Sequence, residues 1–186
     1  GQHWARLEAI NVEGTINLLN AAEAQGVGKV IYVSSSGVIG RTTTGAPGDE
    51  TTPPDEQVMQ NLYFRSKALA EQRIAAWQET HDLPVILILP TANFGPGDAA
   101  PTRAGQVILD FLDGNLPAIP PGGFTIVDVR DVAQAMLTAV DRGRSGERYI
   151  IGNRYASIRE MMDMLAAVSG RARPRLELPY PLALAY

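Results

Sequence analysis

The chain has 186 residues, enough for a domain with a real core, and its 45% hydrophobic and 19% charged residues suit a folded globular protein rather than a disordered one. A net charge of -4 argues weakly against nucleic acid or an anionic membrane as a partner. Cysteine is absent, which excludes disulfides and thiolate metal sites, and His3 and His81 are too few for a histidine-based metal site without help from carboxylates.

No apolar run approaches the ~18 residues of a membrane span, and the N-terminus has no signal pattern. The expectation is a soluble cytoplasmic protein without a metal. Residues 5–25 carry a helical stripe of Leu7, Asn11, Gly14, Leu18 and Ala21 or Ala22, ended by Gly26 and Gly28. Lys29 to Ser34 is a short, β-branched, nearly continuous apolar run, the pattern of a parallel strand covered on both faces. Residues 40–60 form a long polar loop, 61–80 return to helix, and Val85–Leu89 is a second buried strand closed by Pro90.

Strand, helix and strand in this order predict a parallel sheet and an α/β class. Beyond Gly95-Pro96-Gly97 the spacing predicts helices over 103–113, 129–142 and 157–169, with strands near Phe124–Val127 and Arg148–Ile151. This stretch reads as a mixed α+β region packed on the sheet. Both termini read as cut: the chain opens directly on a helix, and Leu182 to Tyr186 look like the first turn of another.

Four groups of residues carry candidate chemistry. Tyr63 and Lys67 lie four apart, on one helix face that continues through Ala70, Ile74 and Trp77. A lysine on an apolar stripe pays a desolvation cost, and an ammonium there would favour the Tyr63 phenolate and lower its pKa for proton transfer. The same pattern also fits a half-buried tyrosine with a snorkelling lysine. Ser34-Ser35-Ser36 ends the first strand, where ligands of open parallel sheets sit; serines after a strand are also ordinary turn formers. Pro90-Thr91-Ala92-Asn93-Phe94-Gly95-Pro96 ends the second strand and would line the same crevice, while serving as a turn. Asn11 is an amide on an apolar face that needs partners, beside Gly14, which would let the helix approach the sheet.

Asn11-Val-Glu-Gly-Thr15, Val33-Ser-Ser-Ser36, Tyr63-x-x-x-Lys67-Ala-x-Ala-Glu71, the Pro90–Pro96 turn and Val127-Asp-Val-Arg-Asp-Val-Ala133 follow one another in register. In this the chain resembles the extended short-chain dehydrogenase/reductases, the NAD-dependent epimerase/dehydratase group. Asp49-Glu-Thr-Thr-Pro53, Gly95-Pro-Gly-Asp98 and Gly146–Gly152 bring it nearest the dihydroflavonol 4-reductase-like branch, which includes hopanoid-associated sugar epimerases.

The resemblance implies a Rossmann-type doubly wound sheet and catalytic roles for Ser35, Tyr63 and Lys67. Tyr63 would be the acid/base, Lys67 would lower its pKa and bind the nicotinamide ribose, and Ser35 would hold the substrate oxygen. It further implies cofactor-binding roles for Asn11, Ser34, Tyr63, Lys67, Pro90 and Thr91, with NAD or NADP as the cofactor. Three departures stand out. No glycine fingerprint G-x-x-G-x-x-G occurs, so the first half of the dinucleotide domain is expected to be missing. Ser36 and Gly37 stand where sugar-nucleotide dehydratases carry an Asp-Glu pair. Ala92 replaces an asparagine common in sugar-nucleotide epimerases, and an arginine ahead of Phe124 is lacking too.

These readings divide the chain into residues 1–100, the second half of the dinucleotide domain with the Ser-Tyr-Lys site, and 101–186, a substrate-binding region cut at its end. The expected function is NAD(P)-dependent hydride transfer at a carbinol or carbonyl carbon, as an oxidoreductase or, through a transient ketone, an epimerase (an isomerase). The substrate is a small molecule, sugar-like or a hydroxy/keto compound. The alternative is a non-catalytic NAD(P)-binding relative acting as a binding or regulatory module. The isolated piece is expected to be inactive. The strand at 29–34 is expected to leave an open apolar edge, which a homodimer, further chain or a rearranged N-terminal helix would cover.

Overall fold

The structure, a computed structural model, describes residues 2–179; the helical turn expected at Leu182–Tyr186 lies outside them. In chain order the helices and strands are α1 (Gln2–Glu8), a π-helical turn (Ala9–Glu13), α2 (Gly14–Ala24), β1 (Val30–Val33), a 3-10 turn (Ser36–Val38), α3 (Glu56–Gln60) and α4 (Leu62–Gln78). They continue as β2 (Val85–Pro90), β3 (Ala92–Phe94), α5 (Arg103–Asp113), β4 (Gly123–Asp128), α6 (Val129–Arg142), β5 (Arg148–Ile151), β6 (Arg154–Ser157) and α7 (Ile158–Ser169).

The chain forms two compact units. The first runs to Thr91 and regains Asp131–Ile151; the second is Ala92–Arg130 with the chain from Gly152 onward. This differs from a continuous division at residue 100. The reason is β5, which pairs in parallel with β2 and so returns to the first sheet, where sequence reasoning had assigned it to the later mixed region.

The first unit is built on the parallel sheet β1-β2-β5. Side chains of a strand alternate between faces, and β2 is apolar on both. Val85, Leu87 and Leu89 pack against Ile74, Trp77 and Ala68 of α4, with Leu19, Val38 and Val58. Ile86 and Ile88 face Ala139 and Met136 of α6 on the other side. Helices on both faces of a parallel sheet make this an α/β three-layer unit, as expected.

The long N-terminal helix exists, but its buried face is not the expected one. Val12 and Leu19 are buried and Ile16 and Ala22 pack beside them, while Leu18 is 66% exposed. The π turn inserts a residue into the helical repeat and rotates everything after it, so a stripe at constant spacing misplaces the inward side. Gly14 also has a different role: an added Cβ would meet the Ala9 carbonyl at 3.3 Å, so it accommodates the π turn rather than an approach to the sheet.

β1 pairs with β2 alone among the described residues. Val30, Ile31 and Tyr32 are half-buried and Val33 is 37% exposed, so the expected open edge is present. The N-terminal helix packs beside α4 over a face of the sheet. The opposite edge, at β5, is treated differently: the Glu50 carboxylate accepts the Ile150 N–H at 3.0 Å.

In the second unit β3 runs parallel to β4, and β4 antiparallel to β6. Phe111, Ile119, Ala156, Met161 and Met162 form its core. The strands β3 and β6 have three and four residues and were not foreseen.

Candidate active site

Asn61 shapes the start of α4: its side-chain oxygen accepts the N–H groups of Tyr63 and Phe64, each at 3.1 Å, as a helix N-cap does. Tyr63 therefore sits in the first turn, 46% exposed, its ring tilted against Phe64 at 5.5 Å. One turn on, Lys67 reaches the sheet. Its Nζ donates to the Val33 carbonyl at 2.9 Å, at the carboxyl end of β1, and lies 5.2 Å from the centre of the Tyr32 ring.

Ser34 and Ser35, the first two of the three serines after β1, separate by role. Ser34 is buried and its hydroxyl donates to the Glu71 carboxylate. Ser35 is half-buried; its oxygen caps the following 3-10 turn by accepting Gly37 N–H at 3.2 Å, and its hydroxyl proton remains to be given. Of the two, Ser35 is the one able to donate to a bound molecule, and Ser34 can offer a cofactor only its backbone.

Asn11 finds its partner on α4 rather than at a strand end. Its amide donates to the hydroxyl of the fully buried Ser66 at 2.9 Å, and Ser66 donates to the Tyr63 carbonyl at 2.7 Å. Asn11 thus supports the Tyr63 turn from behind. The π turn holds it there, the Thr15 hydroxyl donating to the Asn11 carbonyl at 2.7 Å. Pro90 ends β2, and Thr91 N–H continues the ladder to Ile151 O at 2.9 Å, while the Thr91 hydroxyl is buried with no hydrogen-bond partner. From Ala92 onward the turn belongs to the second unit, where Asn93 to Gly97 line a cavity of about 380 Å³ with α5 and Val129.

The electrostatics differ from the sequence expectation in one respect. Burial raises the Tyr63 pKa above its ordinary value, and Lys67 does not offset this, because its ammonium is bonded to Val33 O instead of the phenol. Burial lowers the Lys67 pKa, and the nearby Glu71 carboxylate opposes that.

Three residues of the arrangement had been given no role. Glu71, one turn beyond Lys67, also pairs with Arg148 of β5, Nε to Oε2 at 3.0 Å, with the N–H not aimed at the oxygen. Arg148 donates in turn to the Glu50 carbonyl at 2.8 Å. The i, i+4 spacing of Lys67 and Glu71 was the available signal for the first; Ser66 and Arg148 carried none.

The sequence profile of the NAD dependent epimerase/dehydratase family matches residues 3–152. The chain belongs to this family. Among its relatives is sterol demethylase protein B of Methylococcus capsulatus, 36% identical over 91% of this chain and 51% of that protein. Another is a Synechocystis sp. protein that carries a dihydroflavonol 4-reductase name, 34% identical over 95% of this chain and 52% of that protein. Epimerase/dehydratase-type folds appear among solved structures as well. The crystal structure of gox2253 is 39% identical with a TM-score of 0.88, covering 98% of this chain and 56% of that one. The NADPH complex of RMD from Pseudomonas aeruginosa is 28% identical with a TM-score of 0.77, covering 95% and 64%. The chain spans about half the length of the curated relatives it matches. Membership carries the Rossmann-type reading of the first unit. No helix among the described residues is long and apolar enough to cross a membrane.

Proposed function

We propose that the chain is the catalytic part of an NAD(P)-dependent oxidoreductase or epimerase acting at a carbinol or carbonyl carbon. The observation that carries this is the Lys67–Val33 bond of 2.9 Å, which plants a cation at the carboxyl end of β1, next to Ser34-Ser35 and one helical turn from the half-exposed Tyr63. A half-buried lysine tied to a strand end beside an accessible phenol costs stability and has no use in a binding module.

A nicotinamide dinucleotide fits the residues present: the orphaned Thr91 hydroxyl offers a hydrogen bond, Lys67 offers a ribose contact, and Pro90, Asn11 and Ser34 hold that surface. NADPH and NAD complexes among the relatives favour either cofactor. When bound, it supplies or accepts the hydride. The chain's own part is the proton. As a carbonyl carbon is reduced, the Tyr63 phenol gives its proton to the carbonyl oxygen while Ser35 donates a hydrogen bond to the same oxygen; in oxidation Tyr63 takes the proton back. Lys67 would stabilise the phenolate left behind by turning its ammonium from the Val33 carbonyl towards it.

Dehydration is disfavoured. A Cβ at Gly37 would lie 2.2 Å from the Phe64 ring, so a catalytic carboxylate at that position would displace the residue next to Tyr63.

The deciding experiment is Tyr63→Phe in the full-length enzyme, which keeps the ring and removes the proton donor. Turnover should fall roughly 10²–10⁴-fold with the fold intact by circular dichroism. Near-normal activity would overturn the assignment. Absence of activity in the parent protein across hydroxy/keto substrates, with nucleotide still bound, would favour the non-catalytic alternative.

A further inference from the structure

Glu71 is a largely shielded carboxylate that the proposed chemistry does not use. Three groups converge on it: the Ser34 hydroxyl donates to one oxygen, Arg148 pairs with the other at 3.0 Å, and Lys67 lies one turn earlier on the same helix. Only 11% of its side chain is exposed, and 19% of that of Arg148. Arg148 is itself tied to the Glu50 and Thr52 carbonyls, at 2.8 and 3.4 Å, and Glu50 closes the loop onto Ile150. The network therefore joins the end of β1, the face of α4, the start of β5 and the long polar loop.

We propose that Glu71 is a positioning residue for Lys67: its carboxylate holds the charge on the ammonium and, through Ser34, fixes the strand end to which that ammonium donates. The two actions meet in three consecutive residues. Val33 gives its carbonyl to Lys67, Ser34 gives its hydroxyl to Glu71, and Ser35 follows with its hydroxyl proton uncommitted. With the middle residue anchored, its neighbours on either side keep fixed directions.

The charge action has a physical need behind it. Burial pulls the Lys67 pKa down, and a neutral amine could not stabilise a phenolate. The ionisable groups facing Lys67 are Tyr63 and Glu71 on α4 and Tyr32 on β1; of these Glu71 acts to keep the amine protonated. Burial raises Glu71 in its turn, and Ser34, Arg148 and Lys67 all oppose that rise. Arg148 thus keeps the supporting carboxylate ionised.

The inference rests on Lys67 being a working group of the proposed site, so its test reads Lys67 without turnover. Lysine carrying ¹³C at Cε is incorporated into the protein, the Lys67 signal is assigned by its loss in Lys67→Arg, and its titration is followed into the alkaline range. Glu71→Gln should lower the Lys67 midpoint by on the order of one pH unit and leave the Lys29 signal in place. Glu71→Gln/Arg148→Gln removes the shielded pair together, which folded proteins tolerate better than an orphaned charge. It should lower the midpoint too.

Ser34→Ala keeps every charge but frees the strand end, and should lower the midpoint clearly less than Glu71→Gln does. An unchanged midpoint in both carboxylate-lacking variants would make Glu71 half of a merely structural ion pair. A shift in Ser34→Ala equal to that in Glu71→Gln would place the whole effect in the strand-end hydrogen bond; either result overturns the proposal. Failure of Tyr63→Phe to reduce turnover would instead remove the proposed chemistry while the titration result stood.

Discussion

Ser66 takes a hydrogen bond from Asn11, 55 positions away in the chain, and gives its own proton to the carbonyl of Tyr63. The two bonds, 2.9 and 2.7 Å, tie the π turn of the N-terminal helix to the turn that presents the phenol. Ser66→Ala should leave the Asn11 amide unsatisfied and destabilise the fold by about 1–3 kcal/mol. Asn11→Ala removes the other partner, and the double variant should cost less than the sum of the two. Denaturant unfolding of the three variants measures this; strictly additive losses would mean the two residues do not act as a pair.

The two lysines of the chain provide an internal comparison. Lys67→Met should weaken nucleotide binding and abolish turnover in the full-length enzyme. Lys29 donates to the Val140 carbonyl near the end of α6, so Lys29→Met should lower stability by about 0.5–1.5 kcal/mol and leave nucleotide affinity unchanged. Equal losses of affinity in the two variants would favour a snorkelling role for Lys67.

Tyr32 makes the fold sensitive to alkali. Burial pushes its hydroxyl up to about 12, the Thr15 hydroxyl only partly opposing this. Between its ordinary value near 10 and that raised value, the folded chain holds a proton that the unfolded chain has lost. Stability is therefore full below about pH 10 and falls as pH rises towards 12. Tyr32→Phe should flatten that decline. Unfolding midpoints at a series of alkaline pH values, parent against variant, provide the check, and parallel curves would discount Tyr32.

The 186 residues hold the groups proposed to meet the nicotinamide but no G-x-x-G-x-x-G loop to hold a pyrophosphate. Calorimetry on this chain alone should accordingly find NAD(P) binding weaker than micromolar. A micromolar dissociation constant would mean that the phosphates are bound by some other part of these residues.

Much of this was legible in the sequence for one reason. A strand covered on both faces must be apolar throughout, so Val30–Val33 and Val85–Leu89 announce themselves and fix the parallel sheet. Tyr63 and Lys67 were legible because a lysine on an inward helix face is costly. What escaped notice was of three kinds. A wide turn at Ala9–Glu13 changes the helical phase without any composition of its own, which misplaced Leu18. β3 and β6 are too short to show a period, and the return of β5 to β2 is a pairing between distant segments. The direction in which Lys67 points, towards Val33 rather than the phenol, depends on a carbonyl that no side-chain pattern encodes.

The two rims of the first sheet have unequal valence. At β5 the N–H of Ile150 is already spoken for by Glu50, whereas at β1 no described strand lies beyond Val30–Val33. Glu50 thus closes the β5 rim to backbone pairing at Ile150, and the β1 rim is the one at which a further strand can add to the described sheet.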